Sequence, residues 1–242
     1  MQILLDNLTA TILAGTVLLI LMVMQASLMK SSVERTANYM SKKQSLEFAD
    51  WLQDDLLNIG RGMERGDRTF EGPAIEVTSD GDTLTEKFTF YQDTLQSKVA
   101  SNMDDSVRVA TAYTLGAPPS SSSPADPAET RTIGGETVKL YRAVRWKREK
   151  RKPAASDAPW SNQSWKGAWR KTGQSASLLR HFRIEMRDKD GNLVYPNADD
   201  VNENDPSRVQ QTHVQFALIP PFYDEESTLD AMHFGSSLLL RK

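Results

Sequence analysis

A chain of 242 residues with a net charge of −3 has room for one large domain or two small ones and carries no overall nucleic-acid signature. It contains no cysteine, which excludes a disulfide framework, a thiol nucleophile and a thiolate metal site.

The chain opens on an uncharged apolar run, residues 8–24. With Ile3, Leu4 and Leu5 it reaches the ~20 residues that a helix needs to cross a bilayer. No Lys or Arg precedes the run and a helical pattern follows it, which argues against a cleaved signal peptide. Asp6 is the exception in this segment. A carboxylate among apolar side chains costs about 3 kcal/mol at mid-membrane, so Asp6 either sits at the interface or has a partner, such as a neighbouring subunit's terminal amine. Lys30, Arg35, Lys42 and Lys43 follow the run, and a plain positive-inside count would place the remainder of the chain in the cytoplasm.

Beyond the run, apolar residues recur at Met29, Val33, Ala37, Met40, Phe48, Trp51, Leu52, Leu56 and Ile59, mostly three or four apart, with Gln44 interrupting the stripe. No proline occurs before Pro73, and Gly60 and Gly62 supply a stop. The pattern predicts one helix over residues 2–58, about 85 Å long. Two helices with a kink near Ser31 and Ser32 are the alternative. The predicted organisation is an N-terminal transmembrane or assembly helix over 1–60, then a β-rich head over 61–242.

Within the head, strands are predicted over 74–78, 85–91, 107–114, 137–146, 179–187, 209–219 and 237–240, several with apolar and polar residues alternating at period two. Asp188 to Asn192 carries a hairpin signal around Gly191. Residues 92–104 read as a short helix or a loop. One dominant helix and a set of short antiparallel strands give an α+β fold, with the helix stripe available to cover one sheet face. Two stretches read as loops: the Ser/Pro-rich 116–129 and the basic 147–173.

The second loop has an unusual composition. Between residues 142 and 171 there is a local charge excess of +8, against −11 in the rest of the chain. Trp160, Trp165 and Trp169 are interleaved with Lys147, Arg148, Lys150, Arg151 and Lys152. Cations with aromatics suit a partner subunit, or a glycan or nucleic acid bound by stacking and phosphate neutralisation. They equally suit tryptophans tucked against a sheet. An acidic stretch carries Asp199, Asp200, Glu203 and Asp205, oxygen ligands of the kind calcium takes, but without the ordered spacing of an EF-hand, so a solvated loop is preferred. His181, His213 and His233 fall in separate strands or turns with no metal spacing. No nucleophile elbow, phosphate-binding loop or dinucleotide motif is present. The sequence therefore predicts no enzyme activity and no cofactor.

Several segments together resemble the type IV pilin superfamily. Gln2-Ile-Leu-Leu-Asp6 resembles the mature pilin start Phe-Thr-Leu-Ile-Glu, with an acidic residue fifth. The helix ending Trp51-Leu-Gln-Asp-Asp-Leu-Leu-Asn-Ile-Gly60 is similar to that of J-class pseudopilins of type II secretion and W-class minor pilins. Residues 178–191, 214–218 and 237–241 resemble that group's strand-turn, following strand and terminal strand. Asp stands where the family has Glu, and the proline common near residue 22 of major pilins is absent.

The resemblance implies a subunit that assembles through its N-terminal helix, with Asp6 paired to the amine of the next subunit's Gln2, which the family methylates. Its partners would be other pilin-like subunits, an inner-membrane assembly platform and, before assembly, membrane lipid. The head would be extracytoplasmic on a single-pass inner-membrane anchor, or part of an extracellular filament, where this subunit would lie near the tip. The family's N-terminus faces inward, which reconciles the positive charges after the span. The alternatives are a membrane-anchored binding module that uses the Trp-rich segment, and the major subunit of a filament.

Overall fold

The structure is a computed structural model, described for residues 2–63, 69–77, 83–96, 105–121, 127–133, 136–152, 159–195, 209–219 and 232–239. It is α+β, with one long N-terminal helix and antiparallel sheets. Helix α1 runs Gln2–Leu57 without a break at Ser31 and Ser32. It contains one stretch long and apolar enough to cross a membrane, and none of that stretch is buried. The chain divides into two compact units, Met1–Met40 and Ser41–Lys242.

In the second unit, strands β1 (Phe70–Val77), β2 (Thr83–Gln96), β3 (Asp105–Leu115), β6 (Ala143–Lys152) and β7 (Lys166–Gln174) form a five-stranded sheet in the order β1-β2-β3-β6-β7. Strands β8 (Leu178–Arg187), β9 (Leu193–Tyr195), β10 (Gln211–Ile219) and β11 (Met232–Leu239) form a second sheet in the order β11-β10-β8-β9. Strands β4 (Glu129–Ile133) and β5 (Glu136–Leu140) make a two-stranded ribbon.

The predicted strand over 137–146 is two strands, β5 and β6. Between them Tyr141 exchanges both backbone hydrogen bonds with Leu179, at 2.9 and 2.8 Å, so the chain touches the second sheet before it returns to the first. Residues 92–96 continue β2 rather than forming a helix or loop. Within the predicted loop over 147–173, residues 147–152 and 166–173 are strand: β6 and β7 pair antiparallel, with register shifts between Arg145 and Trp146 and between Lys147 and Glu149. The hairpin at Asp188 is present between β8 and β9. There the Asp188 carboxylate accepts from the backbone N–H groups of Asp190 and Asn192, both at 2.9 Å, and Gly191 takes the left-handed conformation (φ 85°).

The last turns of α1 form the centre of the core. Phe48, Leu52, Leu56 and Ile59 are spaced to fall on one helix face and are all buried. They pack with Phe88, Phe90 and Tyr113 of the five-stranded sheet and with Phe182, Ile184 and Phe216 of the second sheet. The ring of Phe48 meets Phe216 edge-on, centroids 5.0 Å apart. Gln44, which breaks the apolar stripe, accepts a hydrogen bond from the buried hydroxyl of Ser177.

Asp55 lies on the same buried stripe and is 8% exposed. Its carboxylate receives Arg145 Nε at 2.6 Å and the second guanidinium nitrogen on its other oxygen, and it accepts from the Tyr113 hydroxyl at 2.6 Å. This bidentate pair fastens α1 to β3 and β6. Burial alone would lower the Arg145 pKa; the Asp55 hydrogen bond and charge outweigh it and raise the value. Just beyond, Gly60 and Gly62 turn the chain with φ of 70° and 73°. A Cβ on Gly62 would lie 2.4 Å from the Asp93 carbonyl oxygen, so only glycine fits there.

Stripping the Asp55 carboxylate leaves Arg145 uncompensated. Asp55→Ala should therefore cost about 3 kcal/mol in urea unfolding, the low end for a buried pair, because the Arg145 side chain is 22% exposed. The double variant Asp55→Leu/Arg145→Met should recover most of the loss.

Burial, and then the neighbouring Asp55 charge, hold the Tyr113 phenol well above its ordinary 10.0. The folded state keeps a proton that the unfolded chain releases. This stability is complete below pH 10.0 and is lost as pH rises through the folded-state value. Unfolding titrations between about pH 9 and about pH 11 should show that loss in the wild type and a shallower one in Tyr113→Phe.

Candidate functional site

The five-stranded sheet has two faces, and the uninterrupted register of β3 with β6 assigns their side chains. Tyr113 and Arg145 point to α1, through Asp55. Arg108, Ala110 and Ala112 of β3, with Arg148 and Lys150 of β6, therefore point to the opposite face. The two alanines are fully buried although they face away from the helix. A layer of aromatic and cationic side chains covers them.

That layer is built from the segment between β6 and β7. A short 3-10 turn, Trp160–Asn162, folds back over the sheet, where the Trp160 carbonyl accepts from Lys150 Nζ at 2.8 Å. Trp160 caps the Arg108 guanidinium, 4.5 Å from its ring centroid. Arg108 is itself clamped by Asp93, with bonds of 2.7 and 2.8 Å. Arg148 lies against two indoles, 4.3 Å from the Trp165 centroid and 4.5 Å from that of Trp169. Lys150 Nζ is 4.8 Å from Trp165 and 5.7 Å from Trp160. Trp165 also stacks on Tyr91, centroids 6.0 Å apart and rings inclined by 26°. The result is a ladder in which cations and rings alternate across the sheet.

Burial has the expected electrostatic consequence. It lowers the Arg148 pKa from the ordinary guanidinium value and that of Lys147, where the Arg145 charge adds to the effect. Among the described residues, Arg148 Nε is buried without a hydrogen-bond partner. The rings compensate part of that cost through their quadrupoles.

The structure thus brings Trp160, Trp165, Trp169, Arg148 and Lys150 together. Lys147 and Arg151 alternate to the other face of β6, and Lys152 ends the strand. Among the described residues of the basic segment, the exposed cations are on β7: Lys166, Arg170 and Lys171. Arg108, Asp93 and Tyr91, which complete the ladder, are not legible from the basic segment, because they arrive from β2 and β3 through strand pairing. Asp55 did carry a signal, as a carboxylate on a buried helical stripe that requires a partner.

Gln2 and Asp6 lie in α1, and their side chains are outside the described residues, as are Asp199, Asp200, Glu203 and Asp205. Among the described residues no group of three or more His, Asp or Glu could hold a metal. His181 and His213 sit on β8 and β10, and His233 on β11. No protein family, curated protein or solved structure matches this chain.

Arg148→Ala removes two ring contacts at a partly exposed site, each worth about 0.5–1 kcal/mol. It should lower stability by about 1–2 kcal/mol and shift tryptophan emission to the red as Trp165 and Trp169 become wetter. Unchanged emission would show that the ladder is not coupled through Arg148.

Proposed function

We propose that this protein is a structural subunit of the pilin type, a minor pilin or pseudopilin that assembles through its N-terminal helix into a filament. The observation that carries this reading is α1 itself. One continuous helix is unburied over its apolar stretch, while its last turns are built into a sheet core by Phe48, Leu52, Asp55 and Leu56. An exposed apolar helix of that length requires lipid or other helices around it. The segment order and the acidic fifth residue after Met1 add the pilin resemblance, and with it an inner-membrane platform and an extracytoplasmic head.

In this mechanism the apolar helices of successive subunits bury one another. Asp6 pairs with the terminal amine at Gln2 of its neighbour, since a carboxylate in an apolar bundle requires a counter-charge. The Trp-rich segment is not the working surface of a stacking module in this account. Trp165 is already surrounded by Arg148, Lys150 and Tyr91, and Trp160 by Arg108 and Lys150, so the ring faces that bases or sugars would need are largely occupied.

Asp6→Ala should remain membrane-inserted but fail to enter sheared filaments, and Asp6→Glu should retain entry. Normal incorporation of the alanine variant would refute the pairing mechanism. Oligonucleotide or oligosaccharide titration should leave tryptophan emission unchanged, and saturable quenching would favour the binding-module reading.

A further inference from the structure

The five-stranded sheet ends in two unlike edges. At one end β1 contains Pro73, which has no N–H to donate, and its register with β2 shifts on both sides of Ala74. A proline on an edge strand is a device that blocks strand addition. At the other end, β7 pairs with β6 on one side and with no strand on its other side among the described residues. It is nine residues long, contains no proline and is exposed along most of its length; its register with β6 shifts twice and Gly167 is left-handed (φ 69°), so the absence of proline and the charge, not a regular register, distinguish it from β1. Its unpaired backbone edge is a template for an added strand.

Charge decides what that strand can be. Lys166 makes no ion pair among the described residues. Lys171 Nζ donates to the neutral amide of Gln174. Arg170 reaches Glu149 only at 3.6 Å, with both side chains exposed. No acidic residue lies on β7 itself. The neighbouring strand β6 adds Lys147, Arg148, Lys150, Arg151 and Lys152 against the single Glu149, so the field along this edge is positive. A second copy of β7 is a poor occupant, because cations opposite cations destabilise a strand pair. The aromatic ladder packs Trp160, Trp165 and Trp169 on the cations of β3 and β6, so the edge is already built and the ordering cost of docking falls on the incoming strand.

We propose that β7 is a docking strand for an acidic, extended polypeptide segment of a neighbouring subunit, which adds to the sheet edge with backbone hydrogen bonds while its carboxylates meet Lys166, Arg170 and Lys171. That the partner is a neighbouring subunit rests on the proposed assembly; the peptide-docking surface itself does not. The docking surface lies in the head and reads a partner by charge and strand geometry.

The test uses the full-length chain in nanodiscs of zwitterionic lipid. The probe is a fluorescent peptide of alternating Glu and Val matching the nine residues of β7, with binding read by anisotropy. The acidic peptide should bind, and its Lys/Val counterpart should not. Methylating alternate backbone nitrogens keeps the charge but removes the strand's donors, and should weaken binding at least about tenfold. The exposed triple variant Lys166→Glu/Arg170→Glu/Lys171→Glu, checked for an unchanged circular dichroism spectrum, should lose the acidic peptide and gain the basic one. No binding by the acidic peptide would overturn the proposal. So would equal binding by the N-methylated peptide or by a sulfated polysaccharide of matched charge, which would mark a general polyanion patch.

Discussion

The bidentate pair of Asp55 with Arg145, closed by the Tyr113 hydroxyl, is the interaction on which the head depends. Apolar burial is non-directional and would let the stripe of Phe48, Leu52 and Leu56 slide or rotate on the sheets. A buried carboxylate that must meet a guanidinium from β6 and a phenol from β3 admits one register. Once α1 is fixed, Gly60 and Gly62 can turn the chain onto β2, where Gly60 N–H reaches the Tyr91 carbonyl at 2.8 Å and Asp93 N–H reaches that of Arg61 at 2.8 Å. Tyr91 and Asp93 are also the β2 residues that anchor the ladder on the other face. The two faces of the sheet are thereby coupled through one strand.

The ladder shows how a composition that suggests ligand binding can instead be consumed by the fold. Cations and tryptophans in one segment have two physical outlets: each other, or a partner. Here Arg108, Arg148 and Lys150 are covered by indoles, and the charge left for partners sits on β7.

Much of the architecture was legible in the sequence, because period and punctuation carry it. The three-and-four spacing from Met29 to Ile59, ended by Gly60, predicts a helix to within about one residue of Leu57. Alternation of apolar and polar residues marks β2, β3, β8 and β10, although β3 is buried on both faces, with Ala110 and Ala112 on one and Tyr113 on the other. β7 was hidden because its nine residues have no apolar alternation; it exists through pairing with β6 and through Trp169 on the ladder. β4 and β9 are too short for a periodic signal. Of the candidate site, the tryptophans and the β6 cations were visible, but Tyr91, Asp93 and Arg108 come from distant strands, and only register brings them near.

Helix and head together give the protein two surfaces with different physics: an apolar helix that demands burial, and a basic strand edge that selects by charge. The proposed assembly depends on the first. Because the chain has no native cysteine, single cysteines placed one at a time through residues 8–24 report directly on what surrounds that helix. In cells carrying the assembly machinery, oxidation followed by denaturing electrophoresis of the sheared fraction should give a ladder of disulfide-linked multimers for cysteines on the helix–helix contact. A monomer at every position in that fraction, or no protein in the fraction at all, would contradict assembly through the N-terminal helix.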